Sequence, residues 1–507
     1  MTSLIMPAVV TSAAVFGLTA RLVTVEADVH RGLPAFNIVG LPDSAIQEAR
    51  ERVRSAIKNS GFVFPAGRVT INLSPADWRK EGSAFDLPVA IALLITTGQI
   101  PDQLARTVLI GELSLTGGIR PVIGVLPIAE YVRRLGWTLL VPQANATEAK
   151  LISGGQVQTA GCLSDIAEHL LTGKPLPAVP TPPHQAQLKT SLTWWPTIRG
   201  QLQAKRAMII AAAGHHNVLM VGPPGAGKTL LAKATAELLP SLSELEALAV
   251  TKIHSVAGLV RADQPLITAR PFRQTHHTAS VASLIGGGRI PRPGEISLAH
   301  HGVLFLDEFT EFSRDHLEAL RQPLEDGIVT VNRVAGSCQF PAQTMIMAAM
   351  NPCSCGYAGD GQRSCTCSAS QIARYQRRLS GPLLDRFDVF VQVPRVNADE
   401  LETTGDNQDP RRQIKSVRDR QHRRKQLPDL PNSRLTGITL EKFCQLQTAE
   451  RQLMHQAMER LRFSMRAYHR ILRVSRTIAD LAGQRQITTA HLAEALQYRP
   501  PATLVTP

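Results

Sequence analysis

Gly222-Pro223-Pro224-Gly225-Ala226-Gly227-Lys228-Thr229 has the spacing GxxxxGK[ST]. Glycines there let backbone N–H groups close around phosphate oxygens, the lysine reaches the terminal phosphates, and the threonine hydroxyl reaches a magnesium ion. Well downstream, the apolar run Val303-Leu-Phe-Leu306 ends in Asp307-Glu308. Asp307 is suited to hold magnesium and Glu308 to polarise an attacking water. The bland alternative is an accidental strand ending in an acidic turn. The two motifs in this order instead describe binding and hydrolysis of a nucleoside triphosphate, with Mg2+ as cofactor.

Such residues need rigid supports. Val218-Leu-Met-Val221 reads as a short buried strand and Leu230 to Leu239 as an amphipathic helix, whose N-terminus aims its positive dipole end at the phosphates. At 507 residues the chain exceeds what one core organises, and 44% hydrophobic content suffices for several. No apolar run has membrane-spanning length. The start, Ser3 to Ala20, is broken by Pro7 and Gly17 and has no basic leader, so it reads as a strand and the expected location is the cytosol.

Punctuation divides the chain. A first domain spans 1–172, and a proline-rich linker spans 173–196 with Pro175, Pro177, Pro180, Pro182 and Pro183. An α/β nucleotide-binding core follows at 197–397, then a basic linker at 398–430 and helices at 431–507, notably Glu450 to Phe463 and Tyr468 to Ala482. The net charge of +14 suggests a polyanionic partner, and the run Arg411 to Lys425 is its densest segment. That run reads either as a solvated helix face or as a contact to phosphate backbone.

Four cysteines, Cys353, Cys355, Cys365 and Cys367, flank a glycine-rich polar segment. They could close a tetrahedral structural zinc site, stay as reduced thiols, or form a disulfide, the last disfavoured in a reducing cytosol. The pairs His215-His216, His276-His277 and His300-His301 invite a metal reading. Adjacent side chains should point apart on a strand or helix, which makes each pair a poor chelate.

Val218 to Asp388 resembles the AAA+ module of the magnesium-chelatase-like ATPases, and the whole chain resembles the bacterial ComM (YifB) group. The resemblance rests on Gly32-Leu-Pro-Ala-Phe-Asn-Ile-Val-Gly-Leu-Pro42, Arg270-Pro-Phe-Arg-Gln-Thr-His276-His277, Gly294 to Gly302, Met350-Asn-Pro-Cys353 and Leu383-Leu-Asp-Arg386-Phe-Asp388. It implies a multidomain α/β architecture: an N-terminal Lon-protease-like α+β domain, a central AAA+ P-loop α/β domain and a C-terminal helical lid. It further implies a homo-hexameric ring with ATP between subunits, and a DNA helicase that drives branch migration on branched or junction DNA. The setting it implies is homologous recombination of DNA taken up in natural transformation, beside other recombination proteins.

Residue roles follow from that resemblance. Asn351, after the apolar run Met345 to Met350, resembles sensor 1; read locally it is a strand-end residue starting a turn before Pro352. Arg386 resembles an arginine finger, with a local ion pair to Asp385 or Asp388 as the alternative. Arg473 resembles the sensor 2 arginine, with Arg470 and Arg476 near enough to compete. Leu324 to Arg333 reads as a helix end, a turn and a strand, and in related motors a hairpin there enters the ring pore, making Arg333 a DNA contact or a plain solvent-facing residue.

Lys80-Glu-Gly-Ser83 and Gly111 to Gly124 resemble the Lon proteolytic domain, with Ser83 at the nucleophile position. Ile119 to Tyr131 holds no lysine, so the base that would activate the serine is missing and no peptidase activity is expected. A rival to the DNA motor is an AAA+ remodeller of proteins, including a magnesium-chelatase-type ATPase subunit.

Overall fold

The computed structural model describes residues 7–179, 192–288, 291–333, 336–396, 409–425 and 430–501. Pro180, Pro182 and Pro183 of the expected first linker lie outside the described residues, as do 398–408 and 426–429 of the second.

The N-terminal part is built on a mixed seven-stranded sheet. Its strands are β1 (Ala8–Phe16), β2 (Thr19–His30), β3 (Ala35–Val39), β4 (Arg68–Ser74), β5 (Thr107–Leu109), β6 (Thr138–Pro142) and β7 (Gln156–Ala160), in the order β3-β4-β2-β1-β5-β6-β7. In β2 every second residue from Val23 to Val29 is buried, as a strand with one covered face requires. Helices α1 (Ser44–Asn59) and α2 (Asp86–Thr96) contribute to the core under it. Asp43 caps α1 by accepting from the Ile46 N–H at 2.8 Å.

The central part is a fully parallel five-stranded sheet of β8 (Val218–Val221), β9 (Phe272–Thr275), β10 (Val303–Leu306), β13 (Met345–Met350) and β14 (Val389–Gln392), in the order β9-β10-β13-β8-β14. Strands β10 and β13 are buried at every residue because helices cover both faces, which is why they read as unbroken apolar runs. Between β10 and β13 lies the antiparallel hairpin of β11 (Ile328–Arg333) and β12 (Gly336–Pro341).

The two parts touch. Helix α3 (Val125–Leu135) of the first packs on α7 (Glu244–Val256) of the second, where the Gly124 N–H donates to the Ser255 carbonyl at 3.0 Å and Ser255 Oγ donates to Glu148 at 2.5 Å. Burial pushes the Glu148 carboxyl up, against the opposing hydrogen bonds from Ser255 and Asn145. The β1–β2 turn meets the hairpin: a Cβ at Gly336 would come 2.9 Å from the Phe16 ring.

The stretch expected as a basic linker is, from Arg411 to Lys425, a helix, α10. Ile414, Val417 and Gln421 are buried against the core and the C-terminal helices, and Gln421 donates to the Ala213 carbonyl at 3.0 Å. Arg412, Lys415 and Arg423 stand on its exposed side. The remaining helices include α12 (Thr448–Leu461), α13 (Met465–Leu481) and α14 (Thr489–Gln497). Among the described residues no helix is long and apolar enough to cross a membrane.

Candidate active site

The ends of four parallel strands converge on one edge of the sheet. The order of strands reverses between β8 and its neighbours, so a crevice opens at their C-terminal ends, where open α/β sheets bind ligands. Strand β8 runs into the loop 222–227 and then into α6 (Lys228–Leu238), whose first turn faces that crevice. Gly222 is obligatory here, because a Cβ would sit 2.1 Å from the Val393 carbonyl oxygen; Gly227 has φ +86°, a left-handed conformation that only glycine adopts freely.

Lys228 is nine-tenths buried and folds back over its own loop. Its Nζ donates to the carbonyls of Gly222 (2.6 Å) and Pro223 (2.9 Å) and to Asn351 Oδ1 (3.2 Å). Burial lowers its pKa to about 8 against the opposing charges of Asp307 and Glu308. Asn351 stands at the end of β13, beside the end of β8, through the Val221–Met350 pairing. Thr229 Oγ1 lies 3.4 Å from Asp307 Oδ2. A hydroxyl and a carboxylate oxygen facing each other at that distance suit a hard divalent cation such as magnesium.

Glu308 is half-exposed and left-handed at φ +52°. His277 Nδ1 lies 2.9 Å and His276 Nε2 3.4 Å from its Oε2, and the two imidazole centroids are 4.2 Å apart. The expectation that adjacent histidines point apart fails at this pair, and at His300–His301 with centroids 3.9 Å apart, because both sit in turns rather than on a strand or helix. The register Thr275–Leu306 then sets His276 and His277 beside Asp307 and Glu308. With Glu308 these two form one of two groups that could hold a metal ion among the described residues.

Arg386 and Arg473 are not brought to this edge. Both surround the start of β14, and the pairing of Val218 with Val389 puts that start level with the start of β8, at the opposite end of the sheet from the loop. Arg386 forms an ion pair with Glu325 on α8 (Arg321–Asp326), not with Asp385 or Asp388. Arg473 reaches Asp388 at 3.2 Å, and Asp388 also meets His216 Nδ1 at 3.0 Å. Burial raises the Asp388 carboxyl, but the Arg473 charge and the His216 contact outweigh it and hold the group below the ordinary aspartate range.

The four cysteines do come together, with sulfurs within 4.8 Å of one another. In the N-terminal part Ser83 donates to Glu112, and Lys80 Nζ is buried without a hydrogen-bond partner, 5.0 Å from the Trp78 ring. Leu126 is buried in the contact with α7. Arg333 is exposed at the end of β11.

A glycine loop between a central parallel strand and a helix, facing two carboxylates on a nearby strand, defines the class: an AAA+ P-loop ATPase. The family described as "Magnesium chelatase, subunit ChlI" matches residues 195–401, "Subunit ChlI of Mg-chelatase" matches 25–145, and "Magnesium chelatase, subunit ChlI C-terminal" matches 406–499. The chain is 44% identical to "Competence protein ComM" of Haemophilus influenzae over 97% of each chain. It is 42% identical to "Uncharacterized protein YifB" of Escherichia coli over 97% of this chain and 96% of that one. A more distant likeness, 25% identity over 40% of this chain and 22% of the other, is to "Maternal DNA replication licensing factor mcm6" of Xenopus tropicalis. The chain belongs to the ComM/YifB family of magnesium-chelatase-like AAA+ ATPases, and that family implies ATP and Mg2+.

Proposed function

We propose that this chain is an ATP-driven DNA motor that moves branch points in recombination intermediates, working as a homo-hexameric ring. The observation that carries the reading is the likeness over 97% of both chains to a competence protein, joined to the meeting of Lys228 with Asn351 and of Thr229 with Asp307 at one sheet edge. The exposed basic side of α10 and the distant likeness to a DNA replication factor support DNA as the partner. With no base-reading element in the sequence, binding rests on phosphate and shape.

In this mechanism Lys228 leaves its carbonyl cage for the β- and γ-phosphates, which supply the negative charge its burial lacks. Thr229 and Asp307 would hold magnesium, which when bound neutralises charge on the phosphates. Asn351 and Glu308 orient and polarise the attacking water. Arg386, at the far end of the sheet, acts on the ATP of the next subunit as an arginine finger, and Arg473 completes that trans edge rather than its own subunit's pocket. The helices after 410 serve as the AAA+ lid. The N-terminal part keeps a Lon-like fold without its chemistry, since Ser83 faces a glutamate and no lysine. The domain boundaries proposed are 1–172, 197–397 and, moved upstream to include α10, a helical domain from about residue 409.

A fluorescent three- or four-strand junction incubated with the protein, ATP and magnesium tests the reading. Strand displacement lost in Lys228→Ala is the expected result. ATP hydrolysis that DNA does not stimulate, with the junction left intact, would instead favour a remodeller of proteins or a chelatase-type subunit.

A further inference from the structure

Cys353, Cys355 and Cys365 have sulfurs 3.3, 3.5 and 3.7 Å apart, and Cys367 completes the group. Disulfide sulfurs lie about 2.0 Å apart, and none of these four cysteines is disulfide-bonded. Zinc bound to four thiolates, at about 2.3 Å each, holds its sulfurs about 3.8 Å apart. The observed spacings belong to the second case. Burial of thiols as small apolar groups does not account for the cluster, because Cys355, Cys365 and Cys367 are only half-buried in a polar, glycine-rich loop. Backbone N–H groups also point at the sulfurs, Ala358 to Cys353 at 3.3 Å and Cys367 to Cys365 at 3.4 Å, which is the support that ligating thiolates take from their surroundings.

The loop so closed is fastened to the nucleotide pocket. Cys353 follows Asn351 by two residues, and the Pro352 carbonyl accepts from Gln376 on α9 (Ala369–Gln376) at 2.9 Å. Gly356 lies flat against the phosphate loop, where a Cβ would come 2.8 Å from Cδ of Pro224. On the far side Asp360 pairs with Arg395 at 3.1 Å, just beyond β14, and the Arg395 guanidinium lies 5.4 Å from the Tyr357 ring. The knuckle thus spans the ends of β13, β8 and β14, the three strands that frame the phosphate loop.

We propose that Cys353, Cys355, Cys365 and Cys367 hold one Zn2+ ion, and that the closed knuckle splints the phosphate loop through the Gly356–Pro224 contact. The second half rests on the ATPase reading above. Four protein ligands leave no open position, so the ion is structural and takes no part in hydrolysis. Its removal frees a loop with no apolar core of its own, and the phosphate loop loses the wall behind Pro224.

The test is metal analysis of the full chain purified without chelator, alongside titration with a fluorescent ATP analogue. The expected content is about one zinc per chain. Release by a mercurial thiol reagent should weaken the analogue by about tenfold or more, and reduction followed by zinc should restore it. Cys365→Ser should lose the ion. Gly356→Ala should keep the ion and still weaken the analogue, which separates the splint from general unfolding. A chain without zinc, or with iron in its place, overturns the metal assignment. Zinc that can be stripped with no change in analogue affinity, or Gly356→Ala with wild-type affinity, overturns the splint. A chain that holds zinc but never binds the analogue would fail the ATPase reading alone; Lys228→Ala, expected to keep zinc and lose nucleotide, calibrates that outcome.

Discussion

His277 Nδ1 lies 2.9 Å from Glu308 Oε2, although the two residues follow different strands and lie 31 positions apart in sequence. The carboxylate proposed to polarise water is therefore held at the rim of the site by an imidazole from the turn after β9, with His276 behind it at 3.4 Å. Glu308→Gln keeps an oxygen that can accept from His277 and removes only the charge. ATP affinity should stay within about threefold while turnover falls by about 10²- to 10⁴-fold, the usual contribution of a positioned base. Equilibrium binding set against phosphate release checks this, and a variant with normal release would remove Glu308 from the mechanism.

The pH dependence of nucleotide binding should report Lys228. In the free protein burial brings this lysine to about 8, and phosphate oxygens on a bound nucleotide favour its charged form. The bound state therefore keeps a proton that the free state releases above pH 8. Affinity should be flat below about pH 7 and fall by up to about tenfold per pH unit above 8, the limit for one linked proton. Titrations from pH 7 to 9.5 in two buffers decide it. Affinity that is unchanged at pH 9.5 would mean that Lys228 stays protonated in the free protein.

Features carried by local pattern were legible in the sequence. Val218–Val221, Val303–Leu306 and Met345–Met350 are continuous apolar runs because parallel strands are buried on both faces, and the observed strands have those limits. Asn351 was expected at a strand end, and it stands there, beside Lys228 at 3.2 Å. Features set by register or distant pairing were not legible. The His276–His277 pair reaches Glu308 only because Thr275 is in register with Leu306. Arg386 finds Glu325 instead of its sequence neighbours, and Arg473 finds Asp388 across 85 positions. For Arg411–Lys425 the sequence offered a solvated helix face but not its packing: the buried face consists of little more than Ile414, Val417 and Gln421, too few apolar positions for a strong periodic signal.

Placement of Arg386 at the end of the sheet opposite Lys228 predicts complementation between subunits. Arg386→Ala should bind ATP and lose about 10³-fold or more of its turnover, the effect of an absent arginine finger. Lys228→Ala should fail to bind. In a mixed ring about a quarter of interfaces join an intact lysine to an intact arginine, so equal mixing should restore measurable hydrolysis that neither variant shows alone. No recovery at any ratio would argue that each site is complete within one chain.

The two sides of α10 should separate stability from DNA binding. Ile414 is fully buried in the shared core of the ATPase sheet and C-terminal helices, so Ile414→Ala should cost about 2–4 kcal/mol and lower Tm by several degrees. Arg412, Lys415 and Arg423 are exposed on the other side. Arg412→Glu, Lys415→Glu or Arg423→Glu should change stability by no more than about 0.5 kcal/mol and leave DNA-free hydrolysis intact. Each should weaken junction binding to a similar degree whatever the sequence, and lower the slope of log affinity against log salt by about one where a phosphate contact is lost. Affinity and salt slope measured over a range of salt concentrations make the comparison. Charge-reversed variants that bind junctions as the wild type does would assign this face to solvent, and move the DNA contact to the hairpin that carries Arg333.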